Sequence, residues 1–487
     1  MKLNPNKAAD VCGFNPAVFK ECAAELAKPV AVLFKESLST GCVPKMWKYA
    51  NVTPIFKKGQ KNLTSNYRPV SLTSILCRVL ESLLVDEIRA HLTKYKLILE
   101  TQHGFMPKKS CLSNLLIYLE DVTNLVDQGL PVDIIYLDFS KAFDSVPHQR
   151  LLAKLTAHGI GGHVLRWIGD WLNGRKQRVV VNGCASTWKD VTSGVPQGSI
   201  LGPLLFIVFI NDIDHNIVAT LSKFADDTKA YRSVENTERA FTLQEDLHKL
   251  FAWSQDWQML FNSSKCKCLH VGFNNQQYDY FLGDEPIETT RLEKDLGVQI
   301  SEDLKSENHI SYIVKKANRI SGCIKRTYTD KSRRNMIYLY KTLVRPLLEY
   351  CQQAWSPVYK KDIQKVAKVQ RRFTKMINGM KTLPYEERLK KCNLLSLEKR
   401  RARADLLETF KIHSGETDVD CEALFTHYNN SKTRGHAKKI SKKHTHLVIR
   451  KHFYSQRIIS PWNKLEEECI AATNINNFKS KIKPLFY

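Results

Sequence analysis

What this chain lacks narrows the possibilities first. A membrane span needs roughly 20 consecutive apolar residues, and the longest apolar run, LGPLLFIVFI at 201–210, falls far short of that. The opening stretch, MKLNPNKAADVCGF, has no apolar core of the kind a secretory signal carries. A soluble intracellular protein with no membrane partner is expected. The 13 cysteines are scattered from Cys12 to Cys469, and only Cys266 and Cys268 are near neighbours. That spacing suits neither a disulfide scaffold nor a zinc knuckle, so buried free thiols in a reducing compartment are expected. Internal repeats and long low-complexity tracts are missing too.

Acidic residues are in deficit: 49 Asp and Glu stand against 74 Lys and Arg, a net charge of +25. The deficit is local. Residues 301–487 hold 40 basic and 18 acidic residues, or +22, which leaves only +3 for residues 1–300. A nearly neutral first part followed by a basic one fits a catalytic body with an extension that grips nucleic acid. An anionic membrane is the other polyanion to consider, but no amphipathic anchor supports it. At 487 residues, 43% of them hydrophobic, the chain is expected to form roughly two to four globular domains.

Hydrophobic spacing predicts a helix over 17–41, a strand ending at the Lys57-Lys58-Gly59 turn, and a strong amphipathic helix over 74–95. VDIIYLDF (132–139) is a continuous apolar run that ends on an acid, as a buried strand would. Helices over 148–158 and 163–173 follow, broken at Gly161-Gly162. KQRVVVNG and WKDVTSG read as a hairpin, and SILGPLLFIVFINDI as a buried helix after Pro196-Gln197-Gly198. ATLSKFADDTKAYRS reads as strand, turn and strand, followed by a helix and a last strand near 272. Sheet and helix alternate without a repeating βαβ unit, which predicts an α+β fold. Beyond 310 the pattern is mainly helical and basic, most positive at 434–457.

Asp138 closes the predicted buried strand, and Asp226 and Asp227 sit at the tip of the predicted hairpin. Taken alone, two adjacent aspartates are either a solvated turn or part of a metal site. Three carboxylates brought together from two strands supply the hard oxygen ligands that a pair of Mg²⁺ ions requires, and such a pair activates a hydroxyl for phosphoryl transfer.

Three strings in this order, YLDFSKAFDSVPH (136–148), SGVPQGSILGPLLFIVFIND (193–212) and KFADDTKAY (223–231), resemble successive motifs of the reverse transcriptases of non-LTR, LINE-type retrotransposons, specifically the jockey-like ones. TPIFKKGQKNLTSNYRPVSLTSILCRVLE (53–81) and QHGFMPKKSC (102–111) are similar to that family's fingers motifs. WQMLFNSSKCKCLHVG and EKDLGVQI resemble its later palm and primer-grip motifs, and YKTLVRPLLEYCQQAWSP and SPWNKLEEE carry the resemblance to the end of the chain.

The resemblance implies a right-hand polymerase: a helical connecting segment (1–50), fingers and a palm with an antiparallel sheet (51–300), a helical thumb (301–380) and a basic, mainly helical nucleic-acid-binding extension (381–487). It implies an RNA-directed DNA polymerase that extends a primer 3′-OH with dNTPs on an RNA template. RNA, a DNA primer or target, and dNTPs are the implied partners, two Mg²⁺ ions (or Mn²⁺) the cofactors, and a cytoplasmic ribonucleoprotein and the nucleus the setting. Nothing in the pattern bears on oligomeric state.

Residue by residue, the resemblance makes Asp138, Asp226 and Asp227 the metal-binding acids. Phe143 takes the place of a bulky side chain that excludes a ribose 2′-OH; plain core packing is the other reading of an aromatic there. Gln197 and Gly198 form the tight loop against nucleotide and template. Lys57 and Arg68 offer cations to the triphosphate, with Lys58 the competitor for the first role. Lys265 is matched to a lysine that protonates departing pyrophosphate, and Leu296, Gly297 and Val298 to the primer grip. Tyr454 and Trp462, among the C-terminal charges, are either base-stacking platforms or core.

Two departures stand out. Met106 occupies a position where the family often has arginine, and the residues before TPIFKKG match only the tail of a connecting region, with no room for an upstream endonuclease. The alternative to an active polymerase is a decayed or co-opted copy that binds RNA without polymerising. An intron-type maturase is disfavoured by the C-terminal strings.

Overall fold

The computed structural model describes residues 3–6, 8–428 and 436–486. The helix expected over 17–41 is two helices, Pro16–Glu21 and Ala23–Thr40. Asn15 caps the first through its side chain, and Gly41 ends the second at φ +71°, where an L side chain would be strained. β1 (Tyr49–Phe56) and β2 (Tyr67–Leu72) precede the helix Ile75–Lys94. Next comes a helix that the sequence pattern did not predict, Cys111–Asp127, opened by a Ser110/Ser113 capping box. Its polar residues Ser113, Asn114, Glu120 and Thr123 are buried beside apolar ones that recur at helical spacing, Leu115, Leu119, Val122 and Val126.

β3 (Val132–Leu137) is the expected buried strand. Helices His148–Ala157 and Gly162–Leu172 lead to β4 (Arg175–Val181), β5 (Cys184–Ala185) and β6 (Lys189–Val191). The apolar helix is Leu201–Phe209, and the aspartate hairpin is β7 (Thr220–Phe224) with β8 (Asp227–Ser233). After the helix Thr237–Asp256 come β9 (Lys267–Val271), the short strands β10 (Phe281–Leu282), β11 (Glu285–Pro286) and β12 (Glu288–Thr289), and a hairpin of β13 (Leu292–Asp295) and β14 (Val298–Ser301). The remainder is helical, led by Glu307–Thr327, Lys360–Thr374 and Leu397–His413. The fold is α+β. No helix among the described residues is long and apolar enough to cross a membrane.

The chain divides into two compact units, each assembled from three segments: residues 1–105, 137–218 and 245–265, and residues 106–136, 219–244 and 266–487. In the first unit β2, β1, β4 and β5 form a sheet in that order, with β6 also on β4. In the second the order is β12-β9-β3-β8-β7. β3 with β9 and β7 with β8 are antiparallel, as expected of a palm sheet, whereas β12 joins β9 in parallel. The helices of 301–380 and of 381–486 share one core with the helix Cys111–Asp127. Tyr454 and Trp462 are fully buried in that core, so neither ring is open to a base, and the packing reading holds for both. Within the most positive stretch, Arg434 and Gly435 lie outside the described residues.

All 13 cysteines are free, but the expectation of burial holds for only five of them; Cys12, Cys22, Cys42, Cys184 and Cys323 are exposed. Polar groups are buried where partners meet them. Asp133 of β3 faces His270 Nδ1 at 2.7 Å and accepts from Asn275 at 2.8 Å and the Tyr280 hydroxyl at 2.7 Å.

His309, at 2% exposure, accepts a bond on Nδ1 from the Gln299 backbone N–H at 3.2 Å and stands edge-on to Trp355. Burial, with a smaller contribution from Lys294, pushes its pKa down to about 4. The folded value lies below the unfolded one near 6.5, so the stability this neutral ring contributes is whole above that value and is lost as pH falls through about 4. Urea unfolding of the parent should therefore give about 2 kcal/mol less stability at pH 5 than at pH 7 from this ring alone. His309→Gln, which keeps an acceptor, should lack that increment; an unchanged pH difference would show that His309 is not its source.

Candidate active site

In the first unit the chain leaves β3 at Asp138 and is fixed at once. Ser140 N–H donates to the Leu260 carbonyl at 2.9 Å, Asn262 N–H to the Asp138 carbonyl at 2.7 Å, and Phe139 stacks on Phe261 with ring centres 4.5 Å apart. The Asp138 carboxylate is left 40% exposed, and Lys265 Nζ lies 3.0 Å from its Oδ1. The sequence thus brings two of the expected site residues together as an ion pair. An accessible carboxylate that already attracts a cation is the donor chemistry a divalent metal needs.

In the second unit, Phe224 pairs with Asp227, so the hairpin turn is Ala225-Asp226 and Asp227 opens β8. Ala225 adopts φ +57°, a conformation that costs a non-glycine residue about 1–2 kcal/mol. Asp226 is half-buried and Asp227 exposed. Beneath the tip is a buried polar frame. Asn114 donates to the Lys223 carbonyl of β7 at 3.1 Å and accepts from Lys229 Nζ of β8 at 2.9 Å. Lys229 pairs with Asp295 of β13, the two side chains only 4% and 6% exposed, and its ammonium lies over the Tyr118 ring. Tyr231 of β8 donates to Asp121 at 2.8 Å. Both strands of the hairpin are thereby pinned to the helix Cys111–Asp127.

The loop Pro196–Gly198 in the first unit depends on close backbone approach. Gly198 has φ +130°, and a Cβ there would fall 2.3 Å from the Ser71 carbonyl oxygen. Ser71 N–H in turn donates to the Gln197 carbonyl at 2.7 Å. Gly194 is equally confined, its Cβ position 2.6 Å from the Phe143 carbonyl oxygen, which accepts from Val195 N–H at 2.7 Å. Phe143 is half-buried: it stacks on Phe206 at 4.5 Å and meets Phe105 edge-on. So its ring packs in part, and the rest stays accessible.

Behind this loop sits Glu81, fully buried. One carboxylate oxygen accepts from Ile200 and Leu201 N–H at 2.7 and 3.2 Å, the other from Trp171 Nε1 at 3.2 Å and the Cys77 thiol at 3.3 Å. A carboxylate against the first N–H groups of the helix Leu201–Phe209 satisfies donors with no partner inside the helix. Burial, followed by the charge of Glu81, pushes the Cys77 thiol well up, which keeps it a donor.

On the β1–β2 hairpin Ile55 pairs with Arg68, and Lys57 N–H donates to the Asn66 carbonyl at 2.8 Å. The Lys57–Asn66 bond carries the ladder one residue past β1, which keeps Lys57 on the Arg68 face, while Lys58 lies in the bend beyond it; all three are exposed. The β13–β14 turn is Leu296-Gly297, with φ +44° and +89°, and the Tyr350 hydroxyl donates to the Leu296 carbonyl at 2.9 Å. Val298 is 1% exposed and belongs to the core, whereas Leu296 and Gly297 at the turn are half-buried. Glu81, Asn114, Lys229 and Asp295 were not among the expected site residues, although Glu81, Lys229 and Asp295 stand inside the quoted motifs.

Residues 55–300 match the reverse transcriptase (RNA-dependent DNA polymerase) family, and the chain belongs to it. Among its relatives, the RNA-directed DNA polymerase from mobile element jockey of Drosophila funebris is 27% identical over 401 residues, 78% of this chain and 43% of that protein. The probable RNA-directed DNA polymerase from transposon X-element of Drosophila melanogaster is 25% identical over 366 residues, 72% of this chain and 40% of that protein. The chain therefore spans less than half the length of these curated relatives, and the resemblance to jockey-like elements read from its motifs holds. Among solved structures, apo telomerase from Candida tropicalis aligns with 60% of this chain and 61% of its own, at 11% identity and a TM-score of 0.39, a likeness too distant to carry an argument.

Two changes test this frame. Asp295→Ala strands Lys229 as a buried unpaired charge and should cost about 3–5 kcal/mol in urea unfolding, while the joint replacement Lys229→Met, Asp295→Leu should recover most of it. No recovery in the double variant would mean that the network is not an isolated pair. Gly198→Ala should displace the loop against β2 and lower the midpoint of urea unfolding while the far-UV spectrum stays intact. An unaltered midpoint would show that the close approach to Ser71 is dispensable.

Proposed function

We propose that the chain is the RNA-directed DNA polymerase of a jockey-like non-LTR retrotransposon, extending a primer 3′-OH with dNTPs on an RNA template. The observation that carries this is the family match over residues 55–300 together with the two adjacent aspartates at the tip of a braced hairpin. Asp138, Asp226 and Asp227 would hold two Mg²⁺ ions, a reading supported by their hard oxygen donors and by a strand order in which β3 neighbours β8. When bound, the ions lower the pKa of the attacking hydroxyl and offset charge on the departing pyrophosphate.

The chain's own groups do the rest. Phe143, held by Phe206 and Phe105, presents its free edge to the sugar and excludes a 2′-OH. Gly198 lets the backbone approach the nucleotide, and Gln197 lies half-exposed beside it. Arg68 and Lys57, on one face of their hairpin, bind triphosphate oxygens. Lys265, whose ammonium lies 3.0 Å from the Asp138 carboxylate, would give a proton to pyrophosphate. Leu296 and Gly297 hold the primer end. Fingers and palm would span 51–300, the thumb 301–380, and the basic region 381–487 would grip RNA by phosphate contacts and counterion release. The setting that follows is a ribonucleoprotein in the cytoplasm and the nucleus.

The primary test is primer extension by the purified chain on an RNA template with Mg²⁺ and dNTPs. Asp138→Asn, and Asp226→Asn with Asp227→Asn, should abolish synthesis and leave RNA affinity nearly unchanged, since one or two charges alter little beside a net +25. Loss of RNA binding along with synthesis would count against the metal role. Phe143→Val should admit rNTPs, and unchanged sugar discrimination would remove that assignment.

A further inference from the structure

Outside everything assigned above, the second unit holds a cluster of soft and borderline ligands. The ligand atoms of His413, Cys421 and His427 lie within 4.8 Å of one another. They are separated by seven and five residues in the sequence, a spacing that no cysteine-counting argument would single out.

Each member is oriented before any ion arrives. His413 is the last residue of the helix Leu397–His413, and its Nδ1 sits 2.8 Å from the Thr409 carbonyl. That nitrogen must donate, which leaves Nε2 with a free lone pair; a backbone carbonyl on the far nitrogen is the usual support of a metal-bound imidazole. The ring is fixed by stacking on Trp462 and Phe425, centres 4.8 and 5.4 Å away. His427 is held by its backbone: it bridges to Ile440, and Ser441 N–H donates to the Thr426 carbonyl at 2.7 Å. Its Nε2 faces His413 Nε2 at 3.1 Å, and Cys421 Sγ lies 4.0 Å from the same His427 nitrogen.

We propose that His413, Cys421 and His427 bind one Zn²⁺ ion in a tetrahedral site whose fourth position is open to water. The dimensions fit. Zn–N bonds of about 2.0–2.1 Å and a Zn–S bond of about 2.3 Å set tetrahedral edges near 3.3 Å between nitrogens and 3.6 Å between nitrogen and sulfur. The His413–His427 and Cys421–His427 edges, 3.1 and 4.0 Å, differ from these by a few tenths of an ångström, and the Cys421–His413 edge, within 4.8 Å, would close by up to about an ångström as the ion is gripped. The ligand set of two imidazoles and one thiolate suits Zn²⁺ and is too soft for Mg²⁺. Asp420 and Glu422 flank Cys421, and Lys438 and His436 are near enough to act on the cluster electrostatically. His436 is 2% exposed; its Nε2 lies 3.0 Å from the Trp462 carbonyl, and its Nδ1 has no hydrogen-bond partner. The ion would tie the end of one long helix to the segments 421–428 and 439–441, bracing the basic C-terminal region independently of polymerisation.

The test is cobalt substitution of the full chain, stripped with a chelator and reloaded, because the catalytic carboxylates also bind divalent ions but supply no sulfur. One equivalent of Co²⁺ should give a thiolate-to-cobalt charge-transfer band and intense tetrahedral d–d bands, both displaced by one equivalent of Zn²⁺. Cys421→Ser should lose the charge-transfer band, and His427→Ala should weaken Zn²⁺ binding about tenfold or more against a chromophoric chelator. Cys421→His keeps a ligand and should bind Zn²⁺ without the band, which separates loss of a ligand from loss of folding. A parent without the band, or a band that survives in Cys421→Ser and so comes from another cysteine, would overturn the proposal.

Discussion

The contact between Lys229 and Asp295 is the constraint on which the second unit turns. Two charges are removed from water there, each at several kcal/mol of desolvation, and only the combined attraction, the Asn114 amide and the Tyr118 ring offset that loss. A pair of this kind is indifferent as a source of stability but demanding as a source of position, since it is tolerable in one arrangement alone. β8, β13 and the helix Cys111–Asp127 must meet for it to form. The tip of the aspartate hairpin and the Leu296-Gly297 turn thus inherit their placement from one buried contact, and the strain at Ala225 persists because the strands on either side are fixed.

Glu81 plays the corresponding part in the first unit. It satisfies the first amides of the helix Leu201–Phe209 from inside the protein, so the loop before that helix is drawn inward against β2 until only glycine fits at position 198. The residues that meet a nucleotide in the proposed reaction are exposed or half-exposed, and those that aim them are buried. The two sets differ in chemistry as well: exposed carboxylates and cations on one side, fully bonded carboxylates and indoles on the other.

Much of this was legible in the sequence because periodicity and motif order agree. β3, the aspartate hairpin, the helices of 148–172 and the apolar helix after Pro196-Gln197-Gly198 all carry strong local patterns, and the motifs that resemble reverse transcriptases name the acids they present. What could not be read depends on contacts between distant segments. Val298 reads as part of an exposed turn until its burial is known, and Tyr454 and Trp462 sit among charges in sequence but inside a core in space. Asp295 and Lys229 are ordinary charged residues 66 positions apart until the fold joins them.

The interleaving of the two units has a consequence for how the chain is made. The polypeptide passes between them five times, so neither unit corresponds to a stretch that can leave the ribosome and fold by itself. Val132 finds its antiparallel neighbour only when Val271 has been synthesised, on the order of ten seconds later at typical elongation rates. For that interval the edge of β3 that faces β9 lacks its partner, and an unpaired strand edge of this kind is open to mispairing until the later segment arrives.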